Sequence, residues 1–414
     1  MKVLVASHEW EGAVPGGAQR AAAALAGGLA HEPGVEVTLA AAIRADLDAP
    51  AEPPPTRDGV REVLVTSETD AEFFSWLDPS YAANWADVLV DARPDVVHLH
   101  HYYHVGMELP LLVRRLLPDA VIVMTLHEFF AICRLSGQMV DSTGHLCLAS
   151  SPSRCARCIG WPVERTFARQ DYLRRAFGQV DAFVTPSAFA RRRYVEWGLA
   201  PEAIRCIPNA LELEVLDAHP RREHSGRGLR LAYIGQLTPT KGVDVLVEAI
   251  GRARRQDASA IETVDVYGGG VDRFDEEFQR LFRNLQDEAG SQVRFLGPYQ
   301  QAELSGILDS VDAIVVPSVW WENSPVVIEE ALARRVPVIC SDIGGMAEKV
   351  RDGVDGWQFQ TGNAAALAEV LVDLSRRESL DLPEMRRPDK IADVVVRHLQ
   401  VYGDALTSRS SAAD

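Results

Sequence analysis

Lysine is almost missing from this chain. Of 42 basic residues only Lys2, Lys241, Lys349 and Lys390 are lysines, so a lysine inside a motif stands out from its background. Positive charge as a whole is outnumbered, with a formal net charge of −17 and a pI near 5.1. That balance argues against a nucleic-acid partner and against a broad cationic membrane face, while a local basic patch for peripheral membrane contact stays compatible. Long apolar runs are missing too. Residues 21–30 form the longest small-residue run and are too short and glycine-rich to span a bilayer. The opening MKVLVASHEW enters a strand directly, without a separate apolar region and cleavage site, so no leader and a cytoplasmic setting are expected. No repeat of solenoid period is present, and no G-x-G-x-x-G fingerprint follows the first strand.

What is there reads as a globular α/β protein. The 414 residues suggest two or three domains, and 47% hydrophobic with 24% charged residues are ordinary values. Short apolar runs at residues 2–7, 35–43, 63–65, 95–99, 120–126 and 182–186 read as buried strands of a first Rossmann-like domain. Helical patterns alternate with them, at 18–30, 73–91, 161–177 and 188–197 among others. Gly16-Gly17 sits between the first strand and the first helix, where glycine lets backbone approach a ligand closely. Residues 212–229 read as a linker. A second Rossmann-like domain then begins with strand 229–235, which ends at Gly235. A T-P-T-K-G loop carrying Lys241 follows, and a helix over 243–255. The predicted boundaries are 1–212, 213–390 and a final amphipathic helix with its tail over 391–414, of which TSRSSAAD is expected to fray.

The densest signal is VVPSVWWENSPVVIEEALARRVPV, residues 315–338. An apolar run over 313–316 reads as a buried strand ending at Pro317. Ser324-Pro325 offers a capping hydroxyl followed by proline, the usual opening of a helix. A helix start at the C-terminal end of a parallel strand presents free N–H groups to an anion. Glu322 and Glu330 flank that mouth, and a carboxylate can accept two hydrogen bonds from a vicinal diol such as a ribose. Phosphate, ribose and sugar together describe a nucleotide sugar.

Glu322 to Glu330 resembles the E-x7-E signature of retaining glycosyltransferases of family GT4, in the GT-B class. The continuation ALARRVPVICSDIGGMAEKVRDGVDGWQF looks like the same family's next segment, and the resemblance covers most of the chain. It implies a GT-B fold, two Rossmann-like domains facing each other across a cleft. It also implies transfer of a sugar from a nucleotide-diphosphate donor, a UDP- or GDP-sugar, to an acceptor hydroxyl, with retention and without a catalytic metal. By this resemblance Glu330 holds the ribose. Lys241 and the helix start at Ser324, Pro325, Val326 and Val327 hold the diphosphate. Glu322 with Asn323 holds the donor sugar, His127 closes over it, and Gly16, Gly17 and Gly235 face the donor. Two departures stand out: Gln236 replaces the family's usual arginine, and Ala210 replaces a glycine in its "ipNGvd" segment. The acceptor is left open between a small molecule and a lipid-linked intermediate, as is the oligomeric state.

Four of the six cysteines, Cys133, Cys147, Cys155 and Cys158, fall close together, the last two at C-x2-C spacing. They could hold a structural zinc or an iron–sulfur cluster, form disulfides or stay free, and a metal is the favoured expectation. Cys206 and Cys340 are expected in the core. His98, His100, His101 and His104 crowd one strand end and are read as lining an acceptor site rather than ligating metal. Other functions compete: an epimerase or phosphorylase on the same fold, a metal- or redox-binding protein, or a noncatalytic transferase subunit.

Overall fold

The computed structural model of the chain describes residues 1–10, 16–44, 57–67, 79–102, 105–212 and 228–413. It divides into two compact units, Met1–Glu212 with Asp389–Asp414, and Leu213–Pro388.

In the first unit seven strands form one sheet: β1 (Lys2–Ser7), β2 (Glu36–Arg44), β3 (Val60–Ser67), β4 (Val96–Leu99), β5 (Val121–Thr125), β6 (Ala182–Thr185) and β7 (Ile204–Cys206). Their spatial order is β3-β2-β1-β4-β5-β6-β7, and every pair is parallel. The central strands are apolar throughout rather than alternating, because helices cover both faces of such a sheet. Those helices include α1 (Gly17–Ala30), α2 (Pro79–Ala92), α3 (Leu109–Leu116), α4 (Pro152–Ile159), α5 (Val163–Phe177) and α6 (Ala188–Trp197). The strand expected at 63–65 is longer, since β3 pairs with β2 from Val37↔Val60 to Arg44↔Ser67. The helix expected over 73–91 begins in the described residues at Pro79; its earlier part, like His104 and nearly all of the expected linker, lies outside them. Cys206 is exposed rather than in the core, because β7 is the last strand of the sheet.

The second unit repeats the plan with β8 (Leu229–Ile234), β9 (Ile261–Tyr267), β10 (Val293–Gly297), β11 (Ala313–Val316), β12 (Val338–Ser341) and β13 (Gly356–Phe359), in the parallel order β10-β9-β8-β11-β12-β13. Its helices are α7 (Val243–Gln256), α8 (Glu276–Glu288), α9 (Leu304–Asp309), α10 (Val326–Ala333), α11 (Gly344–Lys349) and α12 (Ala364–Ser375). A buried bidentate pair joins the edges of β8 and β11: Arg230 meets Asp312 at 2.6 Å, and the same carboxylate takes the Arg230 backbone N–H at 2.8 Å. Cys340, on β12, is buried as expected.

The last helix, α13 (Ile391–Ala413), belongs to the first unit and packs on α1 and β5. Gly28 permits this, since a Cβ there would lie 2.6 Å from Val395. The Tyr402 hydroxyl and His98 Nδ1 share a hydrogen bond of 2.6 Å beneath it, keying the helix to β4. The tail expected to fray is helical through Ala413. Hydroxyls of Thr407, Ser408, Ser410 and Ser411 bond carbonyls one turn back, and Arg409 reaches Asp181 at 3.0 Å.

Candidate functional site

In each sheet the strand order reverses once, between β1 and β4 and between β8 and β11. In open parallel sheets ligands bind beyond the C-terminal ends of the strands at that reversal. Lys241 lies in the loop that follows β8, and Glu322 and Asn323 in the loop that follows β11.

In the second unit the loop after β8 is brought onto the exit of β11 by Gly242. Its φ is +69°, and a Cβ there would lie 2.0 Å from the Pro317 carbonyl. The Val319 N–H donates to Thr240 at 2.9 Å across the same gap. This seats Lys241 against Glu322, with Nζ 2.5 Å from Oε1. The same oxygen accepts from Ser318 Oγ and Trp320 Nε1, each at 2.8 Å. The Lys241 ammonium also stands 5.3 Å over the Trp320 ring, a cation–π distance. Three donors thus converge on one carboxylate oxygen that is largely buried, and the rare lysine is partnered by the first glutamate of the motif. Ser318 and Trp320 carry no signature of their own in the sequence.

Gly344-Gly345, at the start of α11, holds the loop from the other side. The Gly345 N–H donates to the Glu322 carbonyl at 2.6 Å, and a Cβ on Gly345 would stand 1.6 Å from the Asn323 carbonyl. Only a residue without a side chain fits there.

Helix α10 starts at Val326 with Pro325 at its N-cap, and no side chain caps it. This corrects the expected Ser324 cap. Proline takes the cap position, so Ser324 falls one residue outside, and its buried Oγ has no hydrogen-bond partner. Val326 and Val327 follow as the half-buried first turn. Glu330 is 1% exposed and accepts from Gln301 Nε2 at 3.2 Å. Its neighbour Glu329 is spent structurally, on Lys349 at 2.6 Å and on Arg386 at 3.0 Å. Those cations hold its carboxyl below the usual range against the opposing effect of burial. Gly235 lies at the end of β8, where Gly268 packs so closely that a Cβ would sit 1.8 Å from the Gly235 carbonyl. Beside it the Tyr233 hydroxyl donates to the Gln236 carbonyl at 2.7 Å.

In the first unit Gly16 caps α1 and Gly17 begins it. A Cβ on Gly16 would lie 2.3 Å from the Gln19 side chain, which donates to Glu9 at 3.0 Å. Past β4 and β5 comes a chain of histidines. His98 is saturated by Tyr402 and by Thr125, the latter at 2.8 Å, and is structural. His100 Nδ1 lies 3.2 Å from His127 Nε2, while its own Nε2 is buried without a partner. Burial first, then nearby His398, lowers the His127 pKa to about 3, which leaves the imidazole neutral near pH 7. Glu128 is pushed up to about 8 by burial and sits 3.5 Å from His101.

No disulfide joins any of the four clustered cysteines, and among the described residues no group of three or more His, Cys, Asp or Glu side chains could hold a metal ion. Neither the expected structural zinc site nor an iron–sulfur site is therefore seen among the described residues. All four nonetheless line one cavity of about 230 Å³.

Residues 15–215 match the family described as Glycosyltransferase Family 4, and residues 228–377 match Glycosyl transferases group 1. The amylovoran biosynthesis glycosyltransferase AmsK of Erwinia amylovora is 28% identical over 52% of this chain and 52% of its own length. The phosphatidyl-myo-inositol mannosyltransferase of Mycobacterium leprae is 30% identical over 51% of this chain and 54% of its own. The chain thus spans about half the length of these curated relatives. Among solved structures, Anabaena Alr3699/HepE in complex with UDP and glucose superposes with a TM-score of 0.66 at 14% identity, over 99% of this chain and 100% of the other. Sucrose-phosphate synthase from Thermosynechococcus elongatus does so at 0.69 and 17%, again over 99% and 100%.

Proposed function

With a Glycosyltransferase Family 4 segment followed by a Glycosyl transferases group 1 segment, the chain is GT4-like and of GT-B fold; from that premise we propose that it transfers a sugar, with retention, from a nucleoside-diphosphate sugar to an acceptor hydroxyl. The observation that carries the reading is the Lys241–Glu322 contact of 2.5 Å beside the uncapped start of α10. A cation, a run of helix N–H groups and a buried unpartnered Ser324 hydroxyl meet at one strand reversal, and these are what a diphosphate requires.

In this reading the diphosphate draws Lys241 from Glu322, and the freed carboxylate turns to a sugar hydroxyl with Asn323 beside it. Glu330 accepts from the ribose diol, steadied by Gln301. The acceptor oxygen forms its bond to the anomeric carbon on the face from which the diphosphate departs. The breaking C–O bond leaves its electron pair on the diphosphate, which takes the acceptor's proton. Lys241 and the helix start stabilise the charge that develops there, commonly the largest share of such catalysis. His127, held neutral, suits a sugar hydroxyl better than a phosphate.

Two neighbours support the donor and acceptor classes: one solved with UDP and glucose, the other named for mannosylating phosphatidyl-myo-inositol. A UDP- or GDP-hexose and a small or lipid-linked acceptor are accordingly proposed. Among the described residues no helix is long and apolar enough to cross a membrane. The test follows UDP and GDP release from their sugars with and without candidate acceptors. Acceptor-dependent release, lost in Glu330→Ala, supports transfer; release without acceptor, or a rearranged donor, supports an epimerase or a hydrolase instead.

A further inference from the structure

His100 has no task in the transfer proposed above, yet it stands against a histidine that does. β4 and β5 are neighbours in the register Leu99↔Met124, so the first residue after β4, His100, and the second after β5, His127, leave the sheet side by side. The His100 N–H donates to the Ala6 carbonyl at 2.8 Å, which ties its backbone to β1. Its ring centre lies 5.3 Å from that of His127 and 4.5 Å from that of His98. His98 is itself clamped between Tyr402 and Thr125. At 2% exposure, with a ring on either side and a strand exit behind it, His100 has little freedom to turn.

The protons on this pair can be counted. Burial keeps both imidazoles neutral, each with one N–H and one bare nitrogen. His100 Nδ1 and His127 Nε2 share a hydrogen bond of 3.2 Å, so one of these atoms carries the proton and the other accepts it. Were His127 Nε2 the donor, the proton of His100 would sit on its own Nε2. That atom is buried and has no hydrogen-bond partner among the described residues. A buried N–H without an acceptor loses its hydration uncompensated, and folded interiors tolerate orphaned donors less often than orphaned acceptors. The opposite arrangement, with the proton on His100 Nδ1, leaves only a bare lone pair at Nε2.

We propose that His100 is a positioning residue: it donates from Nδ1 to His127 Nε2 and thereby holds the His127 proton on Nδ1, the nitrogen left for a sugar oxygen. The inference rests on the reading above in which His127 meets the donor sugar. Which ring nitrogen of a histidine carries the proton is set by the hydrogen bond that the other nitrogen makes. With Nε2 of the half-buried His127 occupied by His100, its Nδ1–H donates to the lone pair of a hydroxyl oxygen. In the other tautomer a bare Nδ1 would face that lone pair with its own and could only accept a hydroxyl proton. His100 thus sets both the orientation of the His127 ring and the polarity of its contact.

The test has two arms. The first is NMR of the ring nitrogens in full-length protein isotopically labelled at histidine, at neutral pH, with the His127 signals identified by their loss in His127→Gln. A proton on Nδ1 of His127 is the expected result. A proton on Nε2, or a mixture of tautomers, overturns the proposal. The second arm compares the affinities of UDP-glucose with UDP, and of GDP-mannose with GDP, in wild type, His100→Leu and His100→Asn. Leucine fills the space without a hydrogen bond, whereas the asparagine amide can donate in place of Nδ1. The sugar nucleotide should bind about fivefold more weakly to His100→Leu, the equivalent of one neutral hydrogen bond. The free nucleotide should bind unchanged, and His100→Asn should recover the loss. Unchanged sugar-nucleotide binding in His100→Leu, an equal loss for the free nucleotide, or no recovery in His100→Asn leaves His100 a merely structural residue and overturns the proposal. If wild type binds none of the four nucleotides, the donor-site reading fails by itself, and the ring-nitrogen spectra still decide the tautomer. They also decide if His100→Leu fails to fold.

Discussion

Adding a single methyl group to Gly345 tests how the donor loop is held. Its Cβ would stand 1.6 Å from the Asn323 carbonyl, where real contacts stay beyond 3.0 Å. The neighbour is backbone, so no rotamer change relieves the clash, and the 322–323 segment must retreat by more than an ångström. That movement breaks the 2.6 Å bond from the Gly345 N–H to the Glu322 carbonyl. Overpacking of this kind costs about 1–3 kcal/mol, and the lost hydrogen bond adds about 1 kcal/mol. For a unit spanning Leu213–Pro388, a loss of about 2–4 kcal/mol lowers the melting temperature by roughly 5–15 °C. Calorimetric melting of Gly345→Ala beside wild type measures it. Gly403→Ala is the control: it lies within α13 with nothing within 4 Å of its Cβ. It should gain about 0.5–1 kcal/mol from the better helix propensity of alanine. Nucleoside-diphosphate affinity should fall in Gly345→Ala and hold in Gly403→Ala. A Gly345→Ala protein that melts within a degree of wild type would refute the account of how this loop is supported.

Further predictions follow from the same contacts. Lys241→Ala removes one charge-assisted phosphate contact, worth about 1.5–3 kcal/mol, so nucleoside-diphosphate affinity should fall roughly ten- to hundredfold by titration calorimetry. Buried His98 and His398 have lowered pKa values, His398 to about 4. Each takes a proton more readily unfolded than folded, so stability is full above the unfolded value near 6.5 and falls below it. His398 alone should lose about 2 kcal/mol between pH 6.5 and 5. Glu128, raised to about 8, acts with the opposite sign, favouring the folded state as pH falls from 8 toward its unfolded value. Glu128→Gln should therefore steepen the acid loss of melting temperature and flatten the slope between pH 6.5 and 8; an unchanged profile would contradict the burial of this carboxyl.

The alternation of apolar runs with helical patterns laid the two parallel sheets open in the sequence, because strands covered on both faces must be apolar throughout. Proline and glycine punctuation located the 313–341 segment nearly to the residue. The details that escaped were decided by tertiary contact. Nothing local marks Ser318, Trp320 or Gln301, whose roles come from where Glu322 and Glu330 fall. Ser324 carried a capping signal that Pro325 displaced. Helix α4 was missed although Ser151 caps it, Pro152 opens it and Gly160 closes it at φ +68°; the cysteine spacing drew the reading away from those signals. The terminal serines read as frayed because hydroxyls compete with helix formation, yet here they bond back one turn and Arg409 anchors the helix end.

The most direct measurement is calorimetric titration of the chain with UDP, GDP, ADP, CDP and dTDP in the absence of metal. The account predicts that one of them saturates a single site per chain and that Lys241→Ala weakens it. If none binds, the pairing of Lys241 with Glu322 beside α10 is only a structural ion pair, and the donor-site reading is wrong.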